Sequence, residues 1–202
     1  MTSTRARVAL GFRVKSGWAV EVLVALEPGG PRVLEHGTVL LSDPAVPGTR
    51  QPHHAGRGRE QTDPARIRRL TRIIRASARR SVTDLLRRHR GLHLARAALV
   101  VGSDIDPAAI GNPHIRAHAA EGRLFRTALA DALVTRGVRP FAIVERDLPT
   151  WAGAILRRPP ARLRAVATAL GRDLDGRWRA EEKNACLAAW ALLAARPGAR
   201  RA

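Results

Sequence analysis

Three consecutive strand-forming segments, separated only by tight turns, occupy Arg5 to Leu41, and they narrow the fold more than any other feature of the chain. Arg5 to Val14 and Gly17 to Leu26 are rich in β-branched and aliphatic residues, and the second alternates Trp18, Val20, Val22 and Val24 against Ala19, Glu21 and Leu23. Glu27-Pro28-Gly29-Gly30-Pro31 is dense turn chemistry, after which Arg32 to Leu41 resumes strand character. The spacing predicts an antiparallel meander.

Beyond it, Ser42 to Gln61 is polar and carries Pro44, Pro47, Gly48, Pro52, Gly56 and Gly58, which predicts a long loop over 43–62. Asp63-Pro64 supplies an N-cap with proline at the first helical position, and Ile67, Leu70, Ile74, Val82 and Leu85 form an apolar seam running toward Gly91. Leu94 to Val101 reads as a strand buried on both faces, ending at Gly102-Ser103. Asn112-Pro113 opens a second helix that Gly137 stops, Val138 to Glu145 is another strand, and 149–157, 160–170 and 179–195 are helical. Within the second helix, Gly122 reads as a site of close packing against the sheet. Trp190, on an Ala/Leu-rich helix, reads as core.

The charge is lopsided. Of 202 residues, 36 are Lys or Arg and 17 Asp or Glu, a formal net charge of +19. Segment 49–92 holds 13 basic and 3 acidic residues and 151–202 holds 11 and 4, whereas the other two segments are near balance. Such a field attracts polyanions, of which nucleic acid is the commonest in a cytoplasm; a solvated basic surface without a partner is the bland alternative. The helix over 63–90 carries Arg66, Arg68, Arg69, Arg72, Arg75, Arg79, Arg80, Arg87 and Arg88 away from its seam, and the loop before it adds Arg50, Arg57 and Arg59. No apolar run is long enough to cross a bilayer, and Arg13 and Lys15 interrupt the one near the N-terminus, so the expected location is the cytoplasm. Cys186 is the sole cysteine, which excludes a disulfide framework and a cysteine-built zinc site.

The order β-β-β-α-β-α-β-α matches the RNase H-like fold, an α/β mixed sheet flanked by helices. Ala9-Leu10-Gly11-Phe12-Arg13-Val14-Lys15-Ser16-Gly17-Trp18 resembles the first hairpin of RuvC-like Holliday-junction resolvases, in which a strand ending in Gly-hydrophobic-Asp turns into the second strand. Glu181-Glu182-Lys183-Asn184-Ala185 resembles the resolvase helix that begins Asp-x-x-Asp-Ala and carries the last metal ligands. The resemblance implies one RNase H-like domain over 1–195, with 196–202 a basic tail. It also implies a site of carboxylates around two magnesium ions that activate water against a phosphodiester.

Carried over position by position, the first-strand acid falls on Arg13 and the fourth-strand acid near Gly102 or Ser103. In the last helix the first acid is matched by Glu181, whereas the second falls on Asn184. One ligand of four cannot hold two divalent cations, so no cofactor is expected. Magnesium would enter only through carboxylates relocated from Asp104, Asp106, Glu145, Asp147 or Glu182, and Arg13 would oppose it electrostatically. If a catalytic function survives, Glu145 and Glu181 are its candidate residues, and the enzyme would be a nuclease-like hydrolase.

His114 and His118 share a helix face with Glu121 one step further on, a spacing compatible with a metal but with no clear third ligand. The loop pair His53-His54 is compatible with a phosphate contact or with a mobile segment. The leading expectation is a nucleic-acid-binding protein, for DNA or RNA, that has lost metal-dependent cleavage. Arg13, Lys15, Arg50, Arg68, Arg72, Arg75 and Arg79 are its candidate contacts, with no membrane role and a homodimer among the allowed states. The alternatives are an enzyme with a non-standard site built from Arg13, Lys15, His114, Glu145 and Glu181, and a small interaction protein whose charge is incidental.

Overall fold

Apolar residues on both faces of the first two strands require cover on both sides. In the computed structural model, which describes residues 7–56 and 59–195, Val8–Val14 and Ala19–Ala25 include no exposed position. Strands β1 (Arg7–Lys15), β2 (Trp18–Glu27) and β3 (Gly30–Leu40) form the antiparallel meander, and β4 (Arg96–Val101) and β5 (Arg139–Val144) add to β1 in parallel, giving the order β3-β2-β1-β4-β5. Helix α1 (Pro64–Arg88) connects β3 to β4, and α2 (Pro113–Val134) connects β4 to β5. Helices α3 (Leu148–Leu156), α4 (Pro160–Ala169) and α5 (Ala180–Ala194) follow.

The period of two along the strands sorts the core into two layers. Leu10, Phe12, Ala19 and Leu23 pack with Ile74 and Val82 of α1 and Phe125 and Leu129 of α2. Ala9, Val20, Val22 and Val24 pack on the other face with α3, α4 and α5. Helix α5 is buried continuously from Ala185 to Leu193, Trp190 included, as an all-apolar helix must be. A Cβ on Gly11 would overlap the Ala185 carbonyl oxygen, so this glycine sets how closely α5 lies on β1.

Local signals placed the elements well. Asp63 Oδ1 accepts from the Ala65 and Arg66 amides, and Asn112 Oδ1 from the Ile115 amide, with proline following each cap. The seam of α1 starts later than its sequence suggests: Leu70, Ile74, Ala78, Val82 and Leu85 are buried, whereas Ile67 is only half-buried. Gly122 is exposed with nothing within 4 Å of a built Cβ, so close packing is not its role; its neighbour Glu121 is the residue that faces inward. Of the loop arginines, Arg57 lies outside the described residues, as do the tail 196–202 and the start of the first strand. Among the described residues no helix is long and apolar enough to cross a membrane.

Candidate functional site

Residues 9, 11, 13 and 15 of β1 all point to the α5 side. Ala9 and Gly11 make room for the helix, and at the strand's end the same face presents Arg13 and Lys15. Arg13 is only 6 % exposed, and its Nη2 donates to Glu145 Oε2 at 2.5 Å from the end of β5. Its Nη1 donates to the Val14 carbonyl at 2.6 Å. Asn184 Nδ2, one turn into α5, donates to the other carboxylate oxygen of Glu145 at 2.8 Å. Lys15 Nζ lies 3.2 Å from Glu181 Oε1. The carboxyl of Glu181 is held below the usual carboxylate range, first by its own backbone N–H and then by Lys15. Arg13, Lys15, Glu145, Glu181 and Asn184 therefore form one network at the end of the sheet, and Gly102 adjoins it, a Cβ there lying 4.0 Å from Arg13 Nη2.

The carboxylates named for a relocated metal site are engaged separately. Asp104 pairs with Arg126, Asp106 with Arg123 and Asp147 with Arg146, while Glu182 accepts from the Arg179 amide at the start of α5. Among the described residues, no three carboxylates bring their oxygens together within ligand distance. Beside the network a cleft of about 350 Å³ opens between β1, β4 and α2, with Arg13, Lys15, Ser16, Ser103, Arg123 and Arg126 as its polar walls.

Helix α1 reaches the same end of the sheet. Ser81 Oγ donates to the Leu40 carbonyl at 2.7 Å, and Leu40 pairs with Trp18, the neighbour of Lys15 across the first turn. From there the C-terminal part of α1 runs back along the sheet to Arg88, which lies 3.5 Å from Glu21. Toward its N-terminus α1 is covered on its inner side, with Ile74 fully buried in the core and the Leu70 methyls 3.6 Å from the place of a Cβ on Gly48. Arg68, Arg72, Arg75 and Arg79 follow one another at helical spacing on the outer side of α1 and are all exposed, and no side chain among the described residues pairs with their guanidinium groups. Farther along, Arg80, Arg87 and Arg88 are drawn to Asp43, Asp84 and Glu35. Arg50 is exposed, and its Cγ packs beside Gly17 in the first turn.

The loop is ordered around Thr49, whose buried hydroxyl donates to the Val46 carbonyl and accepts from the Asp43 amide. It then returns to α2, where Arg116 pairs with Glu60 and His54 Nδ1 bonds to Glu121 Oε1 at 2.7 Å. The side chain of His54 is thereby directed inward, not toward solvent as a phosphate contact. Burial raises the carboxyl of Glu121 above its usual value, against the counter-pull of His54, and lowers His118, with the neighbouring His54 and His114 acting in the same direction. His114, the remaining member of the alternative enzyme site, belongs to this cluster rather than to the network of Arg13.

No protein-family model matches the chain, and no curated protein matches it by sequence. By shape, the chain is similar to Thermus thermophilus RuvC, at 15% identity and a TM-score of 0.56, with 92% of each chain covered. A second structure, of T. thermophilus RuvC in complex with a Holliday junction substrate, aligns at 15% identity and a TM-score of 0.54 over 91% of this chain and 90% of that one. The chain has a RuvC-like, RNase H-like fold.

Within that fold, sequence reasoning grouped Arg13, Lys15, Glu145 and Glu181 with His114 as one candidate site, and His114 is the member that lies apart from the other four. That grouping did not pair Arg13 with Glu145, 132 positions away, nor place Arg123 and Arg126 on the cleft. Their only local signal is the i, i+3 spacing that puts both arginines on one side of α2.

Proposed function

We propose that this protein binds nucleic acid through a RuvC-like scaffold and does not cleave it by metal-dependent hydrolysis. One observation carries the reading: at the sheet end, the position that resembles the first metal ligand of the resolvases holds Arg13, and this guanidinium is bonded to Glu145. Two divalent cations need several convergent anionic oxygens. The donor set here is a cation, an amide and two carboxylates, each with a basic partner. Such a set does not fit magnesium. No step of a hydrolysis is therefore assigned to it.

What supports binding is the charge and where it lies. The stripe Arg68, Arg72, Arg75 and Arg79 is exposed along α1, whose Ser81 touches the same end of the sheet, and Arg50 is exposed beside the first turn. Arginine suits phosphate because its planar fork gives paired hydrogen bonds to two oxygens. The RuvC structure with a bound Holliday junction substrate shows that a fold of this shape accommodates branched DNA in that protein; for this chain, a duplex or branched phosphate backbone is the proposed ligand.

The test is fluorescence anisotropy with a four-way junction, duplex DNA, single-stranded DNA and RNA, in EDTA and again in magnesium at matched ionic strength. The expected result is binding of at least one of these that persists in EDTA. Binding seen only with magnesium would contradict the reading of the sheet end, and no binding of any probe at low salt would make the protein an interaction module of another kind.

A further inference from the structure

We infer that His54, His114 and His118 form a binding site for a zinc-class divalent metal ion, with Glu121 behind His54 as its orienting carboxylate. The three imidazoles come from two elements that the metal would join: His54 from the long loop, and His114 and His118 from the first two turns of α2. One ring nitrogen from each lies within 4.8 Å of the others, and among the described residues no other set of three histidine, cysteine or acidic side chains meets that condition. The Nε2 atoms of His114 and His118 are 3.2 Å apart. Two nitrogens bound to one tetrahedral zinc at about 2.0–2.1 Å are separated by about 3.3 Å. The helix thus already holds two ligands at the spacing of one tetrahedral edge.

His54 supplies an independent observation. Its side chain is 8 % exposed, and its Nδ1 is committed to Glu121 Oε1, which also accepts from the His53 amide. With the proton on Nδ1, the lone pair is on Nε2, and that atom is buried with no hydrogen-bond partner. A buried nitrogen acceptor left without a donor costs free energy, and a metal ion satisfies it. Glu121 is fully buried on the protein side, where it fixes the tautomer and the ring plane of His54, the usual arrangement behind a metal-bound histidine. Three imidazoles without thiolates or a carboxylate in contact favour zinc or a neighbouring first-row ion over magnesium or calcium.

The cluster opens on a second cleft, of about 400 Å³, between His54, His114, His118 and the loop residues Gly48 and Gln51. Three protein ligands with one open face leave a coordination position for water or another oxygen ligand. His118 also lines the cleft of Arg13, so a bound ion would add positive charge to the wall of that cleft.

The full-length, untagged chain is stripped with chelator and titrated with zinc, and then with cobalt(II), whose visible absorption reports coordination number. One equivalent should bind, with the intense bands of a four-coordinate cobalt site, and zinc should raise Tm. His114 and His118 lie on an exposed face, so His114→Ala with His118→Ala should fold as the parent does and lose at least a hundredfold in affinity. Glu121→Gln should weaken zinc by about 10- to 100-fold, as loss of an orienting carboxylate does elsewhere. No stoichiometric uptake by the parent, or equal uptake by the double variant, would overturn the site. Neither result bears on binding of nucleic acid, which is measured in chelator.

Discussion

Arg13 and Glu145 meet across the end of the sheet at 2.5 Å, the first buried within β1 and the second half-exposed at the end of β5. Because Arg13 cannot lose its charge, Glu145 and the Val14 carbonyl are what compensate it. Glu145→Ala would strand a buried cation and should destabilise the fold by about 2–3 kcal/mol. By contrast, Lys15→Ala removes a pair whose members are both about one-third exposed and should cost less than about 1 kcal/mol. Urea denaturation of both variants checks the difference, and equal costs would mean that Arg13 finds other compensation.

Glu21 gives the fold a pH dependence of opposite sign to that of an ordinary ion pair. Burial between the sheet and α1, reinforced by Glu35, pushes its carboxyl up to about 7 in spite of Arg88. The folded state therefore binds a proton that the unfolded state has released, so this contribution is present below about pH 4.5 and is lost as pH rises through 7. Its size is at most about 3 kcal/mol at 1.36 kcal/mol per unit. Glu21→Gln should remove that slope, leaving the variant more stable than the parent at pH 8. Since burial lowers His53 and His118, which act in the reverse direction, the quantity to measure is the difference between the two proteins from pH 4.5 to 8. A difference that does not change with pH would contradict the assignment.

Gly11→Ala should displace α5, because the new methyl group would occupy the place of the Ala185 carbonyl. The expected cost is about 3 kcal/mol, the upper part of the range for overpacking. The shift should be transmitted to Asn184 and Glu181 at the start of the helix. An unchanged Tm would show that α5 can ride over β1 without penalty.

Periodicity and capping made the elements legible, and chain distance set the limit on the site. The strands announced themselves through Val20, Val22 and Val24, and the long helices through Asp63-Pro64 and Asn112-Pro113, because those signals are local. Arg13 and Glu181 were legible because they occupy recognisable places in two short motifs. The third histidine was not, since His54 reaches His118 only after the loop has folded back on Thr49 and Arg116 has joined Glu60. The inward-facing acid on α2 gave a hint: Glu121 continues the face of His114 and His118 at helical spacing, and a buried acid calls for a partner from the facing element. Glycine is the weakest such signal, for Gly11 is required by close approach whereas a Cβ at Gly122 would meet nothing within 4 Å.

Nuclease assays on four-way junction and duplex DNA with magnesium or manganese should show no cleavage, because the sheet-end carboxylates are paired with Arg13 and Lys15. Cleavage abolished by Glu181→Ala would mean that the acids rearrange to bind metal once DNA is present.

Phosphate binding by α1 is the central claim, and a salt titration tests it most directly. Affinity for duplex DNA is measured across a range of salt for the parent and for a variant with Arg68, Arg72, Arg75 and Arg79 all changed to Gln. The variant keeps the buried seam of Leu70, Ile74, Ala78, Val82 and Leu85 and should fold normally. Each phosphate contact contributes about −0.9 to the slope of log K against log salt, so removing four should flatten that slope by about 3 to 4. The account predicts this flattening together with loss of most of the affinity at low salt and little dependence on base sequence. Equal slopes and equal affinities in the two proteins would contradict it.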